Sequence, residues 1–188
     1  MISRSGFKII SLGIVYSFFI IVSIASAQNS PLTVKGDQTN FGNLKSVSQF
    51  GHVLFADQPD KKTIGLLKDL GISLVINIRG INENEGYNER KVVEAEGIAY
   101  IQIPYMNGRY VNGSAVEEIM SLVKATGENG TKILLHSTRS QRAGSVLGVA
   151  LYRDYGYSKE QANQYAKQAG LTSGILTKIH NEFLDTLK

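Results

Sequence analysis

Residues 73–78 (SLVINI) form a β-branched apolar run of the kind found in strands buried on both faces. Residues 132–135 (KILL) form a second such run. A strand covered on both sides needs helices above and below its sheet, and the sequence around these runs supplies them. Residues 53–56 read as a short strand ending at the Asp57-Gln58-Pro59 turn. A helix follows to Leu70, with Ile64, Leu67 and Leu70 at helical spacing and Gly71 as its stop. Residues 88–96 read as a second helix closed by Gly97, and residues 100–103 as a strand stopped by Pro104. Ser114 is expected to open a third helix, with Glu117 completing a capping box and Val116, Ile119, Met120 and Val123 forming its apolar face. Beyond a loop at 137–140, a long helix runs to about Tyr155. A fifth, capped by Ser158 and Gln161, ends at Gly170, and a last one spans about 173–187. Strands alternating with helices imply an α/β fold: a mostly parallel central sheet flanked by helices, with a C-terminal helical cluster.

The amino-terminal segment sets an expectation about compartment. Arg4 and Lys8 precede a 16-residue apolar run from Ile9 to Ile24, and Ala25-Ser26-Ala27 is a small-x-small site. That order of basic, apolar and small residues reads as a secretory signal peptide cleaved after Ala27. The alternative, an uncleaved anchor, needs a run of roughly 18 residues or more. Residues 28–43, polar with Pro31, Gly36 and Gly42, read as a flexible lead-in, and 44–188 as the folded domain. Removing 27 of the 188 residues leaves 161, enough for one domain with a real core. The expected location is across the inner membrane, in a periplasm, with the membrane entering only through the signal peptide.

Charge and cysteine content narrow the chemistry. Removing Arg4 and Lys8 from the 20 basic residues leaves 18 against 16 acidic ones, a net of +2, scattered without a basic stripe. Nucleic acid is not an expected partner. The chain has no cysteine, so disulfides and thiolate metal sites are excluded. Its three histidines, His52, His136 and His180, have no ligand spacing, so no metal and no cofactor are expected.

The carboxyl ends of the strands point to the loops after Ile78, Ile103 and His136 as ligand sites. The most informative of these is the segment Ile133-Leu134-Leu135-His136-Ser137-Thr138-Arg139-Ser140-Gln141-Arg142-Ala143-Gly144. It reads as a buried strand, a tight loop and a helix start. Such a junction aims backbone N–H groups and the positive end of a helix dipole at one point, a place for phosphate or sulfate. Arg142, on the first turn, opposes that dipole as a bare cation but suits a bidentate clamp on an anion.

At these residues the chain resembles the cysteine-dependent phosphatases, and within them the bacterial beta-lactamase-hydrolase-like phosphatases, distant relatives of dual-specificity and protein-tyrosine phosphatases. Ser137, four residues, then Arg142 fits that branch's Cys, four residues, Arg spacing. The stretches Phe55-Ala56-Asp57-Gln58-Pro59, Leu74-Val75-Ile76-Asn77-Ile78-Arg79 with the following Glu85, and Gly97-Ile98-Ala99-Tyr100-Ile101-Gln102-Ile103-Pro104 match further family segments in order, over roughly 44–155. The resemblance implies a protein-tyrosine-phosphatase-like fold. It puts Ser137 at the nucleophile's position and Arg142 in the catalytic set. Thr138, Arg139, Ser140, Gln141, Arg142, Arg79 and Asn107 are its ligand-binding candidates.

Three departures bear on activity. Ser137 replaces the family's cysteine, and a loop that ionises a thiol cannot ionise a serine hydroxyl without a base. Neighbouring His136 points the other way in an extended segment. Ser140 stands where the family has glycine, at a strain of about 1 kcal/mol if φ is positive. The loop after Pro104, where the resemblance would put an acid, reads Tyr105-Met106-Asn107-Gly108-Arg109-Tyr110-Val111-Asn112 and has none.

Plainer roles compete for the same residues. Arg139 is equally an exposed loop arginine, and Arg79 equally a salt-bridge partner of Glu83 or Glu85. His136 reads as structural, bonding the loop backbone, and tyrosines 105, 110, 152, 155 and 157 as pocket lining or half-buried core. The leading expectation is an exported pseudophosphatase, weak or inactive, binding a phosphorylated small molecule or protein. The alternatives are an active phosphomonoester hydrolase using Ser137 or a loop-positioned water, and a structural, partner-binding domain. A sulfurtransferase is excluded by the missing persulfide-bearing cysteine.

Overall fold

The computed structural model describes residues 33–34, 41–83 and 85–187. The expected leader (1–27) lies outside them, as does most of the lead-in. Within the lead-in, Thr33–Val34 is nevertheless a strand, β1. It pairs antiparallel with β2 (Val47–Phe50), which pairs antiparallel with β3 (Val53–Ala56). Then follow α1 (Lys61–Ile64), β4 (Ile72–Asn77), α2 (Glu89–Ala95) and β5 (Ala99–Gln102). The hairpin β6 (Met106–Asn107) and β7 (Tyr110–Val111) leads to α3 (Gly113–Glu128), β8 (Lys132–His136), α4 (Gln141–Asp154), α5 (Lys159–Gln168) and α6 (Gly174–Asp185).

The main sheet has the order β1-β2-β3-β8-β4-β5, and β3, β8, β4 and β5 are parallel. This is the α/β fold with a mostly parallel sheet that the apolar runs imply. Alternation along the strands divides the core. Val53, Phe55, Ile76, Ile133 and Leu135 pack on one face with Val116 and Ile119 of α3 and Val146 and Leu147 of α4. Leu54, Ala56, Val75 and Leu134 pack on the other with Ile64, Leu67 and Val93. Each Val, Leu, Ile or Phe among them contributes about 1.5–3 kcal/mol by leaving water.

Four local readings are corrected. The first helix closes at Ile64, and the chain continues to Gly71 through turns such as Leu66 N–H to Thr63 O. The third helix is capped by Asn112, whose side chain accepts from Ala115 N. Its own N–H is held by Tyr105 O at 2.8 Å, which fixes the helix start ahead of Ser114. Glu117 instead pairs with Arg153 at 2.6 Å. The segment after Pro104 is a hairpin rather than a plain loop, with Met106 opposite Val111. The Ser158–Gln161 capping box forms as expected.

The carboxyl-terminal helices cluster against α4 because two of its glycines allow it. A Cβ on Gly144 would lie 2.6 Å from Ala166 O, and one on Gly148 would lie 2.8 Å from the His180 ring. Beside them runs a buried hydrogen-bond chain. Tyr105 Oη and Ser145 Oγ are 2.8 Å apart, as are Ser145 Oγ and His180 Nδ1. His180 Nε2 is buried without a partner among the described residues. A groove of about 880 Å³ opens at the amino end of β3, lined by Phe50, His52, Val53, Met120 and Ala150. No helix among the described residues is long and apolar enough to cross a membrane.

Burial, with the Lys159 charge second, pushes the His180 imidazole down to about 4. The unfolded chain takes this proton near 6.5, so between those values it binds more protons than the folded chain. Stability is therefore expected to fall as pH drops from about 6.5 to about 4, by on the order of 2–3 kcal/mol from this group. His180→Asn, which keeps an acceptor for Ser145, should flatten that part of the pH–stability curve measured by urea denaturation.

Candidate functional site

The sheet register builds the site. Ala56, His136 and Asn77 lie side by side at the carboxyl edge, and Gln102 follows Asn77 in the same row. Their side chains share the face that carries α1 and α2, so the next residue of β8, Ser137, turns to the opposite face, toward α4. Ser137 N–H donates to Ala56 O at 3.1 Å. Its side chain is fully buried, and its Oγ accepts from Ala143 N–H at 3.4 Å. No imidazole or carboxylate lies within hydrogen-bond reach of that oxygen among the described residues.

His136 departs from its expected role. Its ring does not bond the loop backbone. Nε2 lies 3.0 Å from Glu89 Oε1 without the alignment of a hydrogen bond, and Nδ1 has no hydrogen-bond partner among the described residues. Glu89 sits at the start of α2 and also accepts from Gln58 at 2.9 Å and Asn77 at 2.8 Å. Burial opposes its charge, but His136, Gln58 and Arg79 together hold its carboxyl below the usual range. This buried network carries the floor beneath the loop.

The loop brings Ser137, Thr138, Arg142 and Arg79 together. Arg142 grips Glu83 with both terminal nitrogens, at 2.7 Å for Nη2 to Oε2. Thr138 Oγ1 donates to the same Glu83 oxygen at 3.0 Å and accepts from Arg142 Nη2 at 3.0 Å and Arg79 Nε at 3.2 Å. Arg79 is buried, and its other nitrogens reach Gln58 Oε1 and Glu85 Oε1, both at 2.6 Å. The hydrogen bonds from Arg142 hold the Glu83 carboxyl at about 2, with Gly80 N–H and Thr138 adding to them against a smaller cost of burial. Glu83 therefore stays ionised and cannot serve as a proton donor near neutrality. It occupies the Nη1–Nη2 end of the guanidinium, and Thr138 Oγ1 takes a further bond from Nη2, so Arg142 is held from two sides. Beside Arg79 lies a polar cleft of about 480 Å³, lined by Asn77, Glu85, Tyr87, Glu89 and Tyr100 among others.

Other candidates have different roles. Ser140 has φ 56°, the left-handed region, so its strain is real. Its side chain is turned away from the loop interior and donates to Ala169 O at 2.8 Å. Gly170 permits this approach, since a Cβ there would lie 2.7 Å from Ser140 Cβ. The Gln141 amide is likewise engaged with the α5–α6 connection: Nε2 donates to Thr172 Oγ1, and Oε1 accepts from Thr172 and Ser173 N–H. These two residues can offer a ligand only backbone N–H. Arg139 is exposed with no partner among the described residues. Asn107 is exposed on the hairpin and makes no hydrogen bond to the loop. Among the described residues no cluster of three His, Asp or Glu could hold a metal ion.

Glu83 was missed as the partner of Arg142. The sequence carried a signal, Glu83 standing four residues after Arg79, but nothing local ties it to a residue 59 positions away.

Solved structures share this architecture. A DUF442 protein from Shewanella putrefaciens, described as a candidate phosphatase, matches with 18% identity and a TM-score of 0.62 over 80% of this chain and 99% of that one. Kinase associated phosphatase, with its catalytic-site cysteine substituted by serine, matches with 22% identity and a TM-score of 0.64 over 80% and 98%. TpbA of P. aeruginosa, likewise carrying serine for cysteine and bound to phosphotyrosine, matches with 15% identity and a TM-score of 0.63 over 84% and 94%. The fold is thus that of the protein-tyrosine and dual-specificity phosphatases. No protein-family model matches the sequence, nor does any curated protein.

The Ser140 geometry yields an ordering. Ser140→Ala keeps the left-handed strain and leaves Ala169 O unpaired, costing about 1–3 kcal/mol. Ser140→Gly loses the same bond but relieves the strain, so it is expected to destabilise by about 1 kcal/mol less. Urea denaturation of both variants checks the order.

Proposed function

We propose that this chain is an exported pseudophosphatase: a cysteine-phosphatase frame that binds a phosphoryl or similar anionic group and turns it over weakly or not at all. The observation that carries this reading is Ser137. It stands at the base of the loop, fully buried, accepting from Ala143 N–H, with no base beside it. A thiol in that place would be drawn to the thiolate by the loop dipoles, whereas a hydroxyl stays protonated. His136, the adjacent histidine, is engaged with Glu89. The ionised Glu83 is no acid, and the hairpin after Pro104 bears none. Missing acid–base assistance costs about 10²–10⁴-fold.

Binding keeps its support. The N–H groups of Thr138 through Arg142 donate to no acceptor among the described residues. They stand at and just before the start of the 14-residue α4, where the dipole favours an anion. The finer branch, the beta-lactamase-hydrolase-like phosphatases, is supported by the Ser137, four residues, Arg142 spacing and by the matched segments around Gln58, Arg79 and Pro104. Export to a periplasm, with cleavage after Ala27, rests on the leader pattern and fits the loss of a low-pKa thiol from an oxidising compartment. The ligand class is a phosphorylated small molecule or protein.

Hydrolysis of p-nitrophenyl phosphate by wild type, Ser137→Cys and Arg142→Ala tests the proposal. Wild type is expected at least about a hundredfold below Ser137→Cys, in keeping with an unassisted hydroxyl. Robust wild-type turnover abolished by Arg142→Ala would instead establish a working phosphomonoesterase.

A further inference from the structure

Exposed apolar side chains stand on three segments that are tied to the loop of Ser137 and Arg142. Four large hydrophobic residues among those described are exposed, and three of them lie on these segments: Ile81 at 76%, Tyr110 at 72% and Ile175 at 76%. Ile81 follows Arg79 and Gly80, which bond Thr138 and Glu83. Tyr110 is on the hairpin whose Met106 and Val111 line a gap with Arg142. Ile175 is in the first turn of α6, which Gln141 ties to the loop. The fourth, Tyr155, packs edge-on against Phe50 at the other end of the molecule.

Charge at the same rim is unbalanced. Glu83 and Glu85, the described carboxylates there, are neutralised by Arg142 and Arg79. Arg109 and Arg139 are exposed and unpaired among the described residues. Aliphatic and tyrosyl side chains standing proud beside free arginines are the make-up of an interfacial anchor. The residues stand on three separate elements and line no groove. The gap between hairpin, Arg142 and α6 leaves no room for a water-sized sphere. A broad anionic surface suits such a rim better than an extended peptide.

We propose that this rim docks on an anionic phospholipid surface and presents a phosphomonoester headgroup to the loop. Ile81, Tyr110 and Ile175 enter the interface, Arg109 and Arg139 meet lipid phosphates, and the loop N–H groups take the terminal phosphoryl group. The headgroup part rests on the anion-binding reading above, whereas the docking part does not. It also gives the membrane a role beyond export.

The test uses the chain as recovered after export, with one amino terminus for all variants. Co-sedimentation is measured with phosphatidylcholine vesicles alone, or mixed four to one with phosphatidylglycerol, an anionic diester, or with phosphatidic acid, a monoester. Tungstate binding in solution is measured in parallel. Binding is expected to be strongest to phosphatidic acid, weaker to phosphatidylglycerol and absent from phosphatidylcholine. The Ile81→Ser/Tyr110→Ser/Ile175→Ser variant should lose at least about tenfold of the vesicle affinity while keeping its tungstate affinity. Arg109→Ala with Arg139→Ala should lose about thirtyfold on anionic vesicles. A chain that takes tungstate but ignores every vesicle keeps the loop reading and overturns docking; one that takes neither overturns both. Vesicle binding unmoved by the apolar variant, or equal on the two anionic lipids, overturns the rim or the headgroup assignment respectively. A phosphotyrosyl peptide bound in solution through the same three side chains would identify a protein partner instead.

Discussion

Burial of β8 on both faces is the constraint from which the rest follows. Ile133, Leu134 and Leu135 are fully buried, and the strand is hydrogen-bonded to β3 on one side and β4 on the other. A strand paired on both sides cannot end in a hairpin with a neighbour; it must leave the sheet, and here, as the last strand described, it does so into α4 after four residues. The row Ala56, His136, Asn77 then fixes which side chains face the helices on each side. Ser137 falls on the α4 side through strand alternation alone, and His136 on the α2 side, so the two neighbours cannot cooperate. The failure of a serine–histidine pairing at this site is a property of the sheet before it is a property of the loop.

The electrostatics of the site are nearly closed. Glu83 satisfies Arg142, Thr138 bridges both to Arg79, and Glu85 and Gln58 complete the Arg79 set. This network orders the loop from outside, and the buried Glu89–His136–Asn77 set supports it from below. What is left uncompensated is the backbone: N–H groups at the head of α4 and the helix dipole behind them. The proposed anion binding rests on these groups and needs no reactive side chain.

Much of this was legible from sequence. The apolar runs at 73–78 and 132–135 fixed the sheet, because nothing but a doubly covered strand suits them. The helix start at Ser158 followed from capping chemistry, which is local, and the structure caps the helices at Asn88 and Ser173 in the same way. Where two cappers compete, as at Asn112 and Ser114, the choice was made by Tyr105 O, a contact from another element. β1 and β2 escaped notice because strands of two and four residues carry little periodicity, and the β6–β7 hairpin because it has two residues a side. In the site, Ser137 and Arg142 were read from their spacing. The engagement of Ser140 and Gln141 with the α5–α6 connection was not, because it depends on how helices distant in sequence pack.

That engagement bears on why the loop keeps its shape with serine at a glycine position. A left-handed serine costs about 1 kcal/mol, and a well-formed buried hydrogen bond returns a similar amount. The Ser140–Ala169 bond is such a contact, and it needs Gly170 to have no side chain. Gly144 and Gly148 set the depth at which α5 and α6 approach α4, and so place Ala169 where Ser140 can reach it. Loop and helical cluster therefore form one unit. The frame that the proposed anion binding needs is thus held by a dedicated bond at Ser140, independent of the side chain at Ser137.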